Sequence, residues 1–432
     1  MTGDMKIVIK KAAATYEPEL FKSAFGFKGN KLTGVWQTVV MLSDGREVGQ
    51  GLGVQSVLWS DSSVFVKYGE QEGNSLMFKV TDYALEMIKD KEFSSPKEII
   101  DFVFEDCYEY AKKITDMKVT ETFVLNALVP LDMAAWQLFA RLGRADSFDF
   151  VYKGNEKCEK LANIPLITYG TSIDDVVKMA NDGVCIFKIK LGSDPEGDGD
   201  LGKMLAWDKA RALRIHSALK YIPTPYTECG RIVYYFDANG RYDTKERLTE
   251  LVGFLSENGI AERTVLFEEP FAEKNEIYVG DIPICFAADE SAHSLADVKR
   301  RIELGYKAIT LKPIAKTPSV TIEMANAAYE AGVQCFCADL TVNPIMVEWN
   351  KNFAARLSTL RGLKIGVVES NGAQNYKNWE KMKGHVVRKS TETDASVYTL
   401  DKRFYENAGG LFEISEYYSA LLNSEHPEFF EV

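Results

Sequence analysis

Over roughly the first 60 positions apolar and polar residues alternate, and alternation with period two marks strands with one buried face. MKIVIKK, TGVWQTVVML and VGQGLGVQSVLWS all carry that pattern. Asp44-Gly45, inside SDGRE between two apolar runs, is a hairpin signal. From about Leu76 to Arg144 the repeat lengthens to helical spacing, through SSPKEIIDFVFEDCYEYAKKI and PLDMAAWQLFARLG. Pro96 stands where a helix starts and Gly143 just past where one ends, the usual asymmetry of helix termini. This first part predicts an α+β unit, residues 1–143.

From about Ile164 the pattern changes. Short apolar runs recur with helical segments between them: PLITYG, VCIFKIKLG, IVYYFDANG, TVLFEEP, PICFAADES, KAITLKP, VQCFCADL and KIGVVESN. Strands alternating with helices imply a parallel sheet, and eight such units imply a closed (β/α)₈ barrel. The barrel is expected over residues 144–375. The connection between its second and third strands is longer, and its Gly/Asp-rich GSDPEGDGDLGK followed by a helical stretch reads as an insertion over 193–230. The tail, 376–432, has no further strand–helix unit and is expected to pack back on the first part. The fold class is thus α/β: a barrel with an α+β N-terminal capping domain completed by the C-terminal segment.

Bulk properties narrow the function. The 432 residues are 46% hydrophobic and 26% charged, ordinary globular values. A net charge of −12 disfavours nucleic acid or an anionic membrane as partner. The start, MTGDMKIVIKK, has no apolar signal core, and no uninterrupted apolar run reaches the roughly 18 residues of a membrane span. Seven scattered cysteines, with only Cys335 and Cys337 close together, match no zinc-ribbon spacing. Reduced core cysteines in a cytoplasmic protein are the expectation.

The charged residues fall where barrel chemistry is found, at the C-terminal ends of strands. In FKIKLG, Lys188 and Lys190 share one face of a strand that otherwise reads as core, and buried lysine is costly unless paired. The third strand ends in Asp237, with Asn239 after it, the fourth in Glu268 and Glu269, and the fifth in Asp289 and Glu290. Lys312, Asp339 and Glu369 end the sixth, seventh and eighth. Any one of these alone reads most simply as a solvated strand end, and Glu269, Glu290 and His293 keep that reading. Together, Asp237, Glu268 and Asp289 on three consecutive strands offer oxygen ligands that suit Mg²⁺. Glu269 and Glu290, one residue on, are expected to face away.

The ordered set resembles the enolase superfamily, in its muconate-lactonizing and dipeptide-epimerase branch. K-x-K at Lys188 and Lys190, D-A-N from Asp237, E-E-P from Glu268, A-D-E-S from Ala288 and L-K at Lys312 follow its order. PLDMAAWQLFARLG resembles the family's A-L-D-M-A-L-W-D-L segment, with Gln137 where Asp is usual. AGGLFEIS resembles its C-terminal G-P-G-L-G segment without the Pro. The resemblance implies a Mg²⁺-dependent enzyme that removes the proton α to a carboxylate through an enediolate. It implies Lys190 as base on one face of the substrate carbon, Lys312 on the other, and Lys188 as a binder of the carboxylate. Two bases on opposite faces permit racemisation or epimerisation, with a dipeptide or amino-acid derivative as candidate substrate. A muconate-type cycloisomerase or an o-succinylbenzoate-synthase-like lyase would use the same partial reaction, and a binding scaffold without catalysis is the non-enzyme alternative.

Departures shape the rest. None of His216, His293, His385 and His426 lies at the seventh strand, unlike mandelate-racemase-like members and many sugar-acid dehydratases. The eighth strand reads V-E-S-N where dipeptide epimerases carry D-x-D, so Glu369, with Asp339 as helper, is the candidate partner of a substrate cation. Asn239 and Phe25 complete the substrate-binding expectations, Phe25 from YEPELFKSAFGFKGNK (Tyr16 to Lys31), which fits the family's capping loop with Phe21 and Phe27. A homo-oligomer acting on a small carboxylate is expected.

Overall fold

The alternating N-terminal runs form a three-stranded antiparallel sheet: β1 (Lys11–Phe27), β2 (Asn30–Ser43) and β3 (Val48–Gln55). It belongs to a computed structural model that describes residues 6–27, 30–143, 148, 156–386, 391–394, 396–406 and 411–431. The Asp44-Gly45 turn joins β2 to β3, with Ser43 opposite Val48 and Gly45 at φ 91°. Of residues 16 to 31, expected as a capping loop, 16–27 and 30–31 are instead the outer half of the β1–β2 hairpin, where Phe25 pairs with Leu32. Pro18 is tolerated within β1 because β1 is an edge strand and one side of its ladder is unused.

The strand pattern also stops earlier than expected. β3 ends at Gln55, and Val57–Ser60 make a single helical turn. The Asp61 carboxylate then accepts the N–H groups of Ser63 and Val64, which starts helix α1 (Ser62–Ile88) well before Leu76. Helix α2 (Pro96–Thr115) begins as its sequence predicts, with the Ser95 side chain capping Glu98 N–H. Helix α3 (Glu121–Leu142) is long and apolar enough to cross a membrane, yet 94% of its apolar window is buried inside the protein.

What seats α3 is GQGLG. Gly49, Gly51 and Gly53 lie on one face of β3. A Cβ on Gly51 would stand 2.0 Å from the Pro130 carbonyl oxygen, and one on Gly49 2.2 Å from that of Ala134. The glycines thus form a groove for the α3 backbone. Gln137 fastens the seat: its Oε1 accepts Gln50 N–H at 2.5 Å, and its Nε2 donates to the carbonyls of Leu411 and Glu413.

Beyond α3 lies the barrel. Strand β4 (Lys160–Ile164) is interrupted by Pro165 and resumes as Leu166–Ile167. Then come β5 (Ile186–Lys190), β6 (Val233–Asp237), β7 (Thr264–Glu268) and β8 (Phe286–Ala288). β9 (Ala308–Leu311), β10 (Gln334–Cys337) and β11 (Gly366–Glu369) complete eight parallel strands. The two halves of β4 pair with β11 and β5, which closes the ring. Helices α4 (Ile173–Asn181), α5 (Leu201–Leu219), α6 (Lys245–Glu257), α7 (Leu295–Glu303), α8 (Pro318–Glu330) and α9 (Pro344–Ala354) fill the connections. One expected helix is missing. The chain from Glu269 to Cys285 crosses directly, because Pro270 and Pro283 bound it and Gly280 packs against Gly305, where a Cβ would meet the Gly280 nitrogen at 2.3 Å.

The 193–230 insertion contributes α5, capped by Asp200, and a turn whose Thr227 bridges to Leu363. The tail divides in two. Strand β12 (Val397–Thr399) pairs antiparallel with β4, while helix α10 (Glu416–Glu425) reaches β1, where Thr15 Oγ1 donates to Glu425 at 2.7 Å. Among the described residues none of the seven cysteines forms a disulfide.

The groove predicts an asymmetry between glycines. Gly51→Ala should lower the unfolding free energy by about 1–3 kcal/mol through overpacking. Gly253→Ala, on α6 with open space around it, should raise it by up to about 1 kcal/mol through helix propensity. Denaturant titration of the two variants checks both signs.

Candidate active site at the C-terminal barrel mouth

The pleat places Lys188 and Lys190 on one side of β5, and the ladder puts Lys190 beside Asp237 and Asp237 beside Glu268. Asp289 and Lys312 come one residue after β8 and β9, so the rim collects them in strand order. Lys188 is only 4% exposed, and its ammonium lies 2.8 Å from Glu268, 3.1 Å from Asp237 and 3.2 Å from Glu369. Lys190 pairs with Asp237 at 2.6 Å and donates to the Asn239 side-chain oxygen. Lys312 pairs with Asp289 and sits under the Trp59 ring, 4.8 Å from its centroid.

Burial would strip Lys188 and Lys312 of their protons, but their partners prevail. Against that burial, Glu268 and Glu369 hold the Lys188 pKa well above its ordinary value. Asp289 and Glu290 raise Lys312 in the same way. Asp237 and Asp289 are held low despite burial, the former by Lys190 and Lys188, the latter by Lys312 and Lys316. Glu268 is the opposite case. Burial pushes it well up against the pull of Lys188, and Asp237 and Asp289 push it further. Tyr235 OH and Thr310 Oγ1 donate to its two oxygens, the latter at 2.9 Å.

Other expected residues are placed as follows. Asn239 Nδ2 donates to Glu290 Oε1 at 3.0 Å, and both line the same pocket as the lysines. Glu290 therefore does not face away as expected; it follows the end of β8, where the chain has left the strict alternation of the pleat. Glu269 does turn away, accepting Asp289 N–H and the Ser291 N–H and hydroxyl, and burial raises it to about 8. Asp339 reaches the pocket wall, but its oxygens accept the N–H groups of Leu340, Val342 and Asn371. His293 bonds Thr122 Oγ1 at 2.7 Å. The Phe25 side chain lies outside the described residues, as does that of Phe27.

The pocket has a cavity volume of about 60 Å³. Its roof comes from the capping domain: Phe21, Leu32, Val35 and Trp59. Trp59 was hidden in a run that reads as strand. Lys316 was also missed, although it stands four residues after Lys312 in LKPIAKTPS. It is fully buried, and its ammonium donates to the carbonyls of Asp289 at 2.6 Å and Ala292 at 2.9 Å.

The donor set fits Mg²⁺ by chemistry. Asp237, Glu268 and Asp289 supply only oxygens, lie at adjacent strand ends and crowd enough that Asp237 and Asp289 add to the burial that raises Glu268. Among the described residues no three acidic, His or Cys side chains converge as a ligand group. Lysine ammonium groups occupy the carboxylates instead.

Neither a family model nor a curated protein matches the sequence. Solved structures do. A dipeptide epimerase from Enterococcus faecalis V583, complexed with Mg and the dipeptide L-Leu-L-Tyr, superposes with a TM-score of 0.66 at 15% identity, covering 93% of this chain and 99% of its own. The L-Ala-D/L-Glu epimerase from Bacillus subtilis gives 0.65 at 15%, covering 91% and 96%. A member of the enolase superfamily from Enterococcus faecalis V583 gives 0.63 at 16%, covering 94% and 95%. The fold is that of the enolase superfamily. Within it, the charged mouth described above occupies the end of the barrel where β/α barrels place their reacting groups.

The charge balance of this mouth is open to test without substrate. Lys188→Met leaves three buried carboxylates short of a cation and should cost about 3–5 kcal/mol at pH 7. Carboxyl groups whose folded pKa is raised favour the folded state as pH falls through that value. The deficit should therefore shrink between pH 7 and pH 5, which unfolding curves at the two pH values measure.

Proposed function

We propose that the protein is an isomerase, a racemase or epimerase that moves the proton α to a carboxylate by 1,1-proton transfer. The observation that carries this reading is the set of three lysines, Lys188, Lys190 and Lys312, that line one pocket with Asp237 and Asp289, with Glu268 paired to Lys188 beside it. Lys190 ends the second strand and Lys312 follows the sixth, so three strands of the eight-strand ring lie between them on either side. They face a bound carbon from opposite sides. Lys188, deeper and between them, binds the substrate carboxylate. Lys190 in its neutral form takes the α-proton on its side, and Lys312 delivers one on the other, which inverts the centre.

Asp237, Glu268 and Asp289 would hold Mg²⁺, which supplies positive charge that acidifies the α-proton and relieves the crowded carboxylates. Asn239 fixes the Lys190 amine by its hydrogen bond. The apolar roof of Phe21, Leu32, Val35 and Trp59 suits an apolar substituent on a dipeptide or other amino-acid derivative. Glu369 is the candidate partner of a substrate cation. Asp339 is tied to three backbone amides and shapes the wall.

One observation favours a second reading. Lys312 is more buried than Lys190 and paired with Asp289 beneath an indole ring. A lysine that stays cationic would serve as charge stabiliser in cycloisomerisation or elimination, with Lys190 as the base.

Half-reactions in D₂O separate the two. For an epimerase, Lys190→Ala should still exchange the α-proton of one stereoisomer, and Lys312→Ala that of the other, while each loses turnover. Exchange by Lys190 alone, with an unsaturated or cyclised product, would replace isomerisation with the second reading.

The metal is tested separately by stability. Mg²⁺ at a hundred times its dissociation constant should stabilise the fold by about 2.7 kcal/mol. Asp237→Ala should fold, show no such rise and have no activity. Full activity in chelator-treated protein would sink the assignment.

A further inference from the structure

Two buried carboxylates stand behind the mouth without lining it. Asp208, on α5, is fully buried, and both of its oxygens accept Gly192 N–H, at 2.8 and 3.0 Å. Tyr242 OH donates to the same carboxylate at 2.8 Å. Gly192 lies two residues past Lys190 at φ +79°, and a Cβ there would come 2.6 Å from Arg241 Cβ. Leu191 N–H meanwhile bonds the Asp237 carbonyl at 2.8 Å. The turn that carries Lys190 out of β5 is thus fixed from behind by one acid, which also reaches the loop after β6.

Asp132 plays the matching part for Lys312. It sits on α3 of the capping domain, fully buried, and accepts Ser319 N–H at 2.6 Å and Ser319 Oγ at 2.7 Å. Trp136 Nε1 donates to the same Ser319 hydroxyl at 2.9 Å. Between Lys312 and Ser319 the chain is tightly wound. The Lys312 carbonyl accepts the N–H groups of Ala315 and Lys316, and Thr317 takes φ +65° before capping α8 through Val320 N–H. A β-branched residue at positive φ is strained and persists only when its surroundings enforce it. The Asp132 anchor, two residues on, is that enforcement.

Burial raises both acids to about 7. Buried acids are poor contributors to stability, since apolar groups of similar size often do as well. We propose that Asp208 and Asp132 are positioning residues, Asp208 holding the Lys190 turn and Asp132 holding the Lys312 loop from the capping domain. The assignment rests on the proton-transfer reading above. Its consequence is specific: each acid governs one face of the substrate carbon, and the Lys312 face is set by cap–barrel docking.

The test uses Asp208→Asn and Asp132→Asn in the full chain, with Tyr242→Phe and Ser319→Ala as milder partners. In wild type and variants, α-proton exchange in D₂O is followed for both stereoisomers of a dipeptide, and backbone amide exchange is mapped by mass spectrometry. Asp208→Asn should slow exchange of the Lys190-side stereoisomer by about 10- to 100-fold, leave the other within about twofold, and deprotect amides near 191–193 only. Asp132→Asn should do the reverse and deprotect 315–320 only. Equal loss for both stereoisomers, or deprotection spread across the barrel, shows a merely structural role and overturns the proposal. So does unchanged protection at both loops. If wild type exchanges no α-proton, the reaction reading falls, and the local deprotection still decides whether the acids hold the two loops.

Discussion

The compensation of buried charge at the barrel mouth is the interaction on which the rest depends. Asp237, Glu268, Asp289, Glu290, Asp339 and Glu369 share it with Lys188, Lys190, Lys312 and Lys316, and all but Lys190 are buried. An ion moved alone into such a place would cost several kcal/mol, so each is tolerable only beside its partners. The barrel makes that possible because eight strands deliver side chains to one rim from all directions, and the ladder fixes neighbours such as Lys190, Asp237 and Glu268 in register. The same crowding that would destabilise a core gathers four ammonium groups and six carboxylates at one mouth.

The capping domain supplies what the barrel cannot. Strand ends are polar, so the apolar part of the pocket comes from β1, β2 and the turn after β3, as Phe21, Leu32, Val35 and Trp59. That roof is only as well placed as the cap itself. The glycine groove of β3 admits α3, Gln137 locks α3 to β3 and to the tail, and Asp132 carries α3 onto the start of α8. A chain of close contacts thus runs from GQGLG, which resembles no nucleotide-binding turn in its surroundings, to the loop bearing Lys312.

Much of this was legible in the linear pattern. The eight apolar runs, their parallel order and the charged residue at each end are properties of local periodicity, and the lysine and carboxylate set follows from them. The helix between the fourth and fifth strands did not form because prolines and a glycine–glycine contact outweigh a mild helical spacing. Residues 16–27 are strand because a long partner, β2, lies beside them. Glu290 turned inward because it lies beyond the last paired residue, where alternation no longer governs direction.

The sequence by itself determined which chemical groups stand at which strand ends, since period-two alternation and the βα rhythm are written residue by residue. Only the tertiary structure decided which of those groups stay available. Asp339 is bound to three backbone amides, Glu369 to Lys188, and Glu269 to the turn after β8, while Lys316 and Trp59 joined the site from positions with no pattern of their own. The reason is physical. A carboxylate's partner is whichever donor the folded chain brings within about 3 Å, and for Asp132 and Ser319 that donor lies 187 residues away.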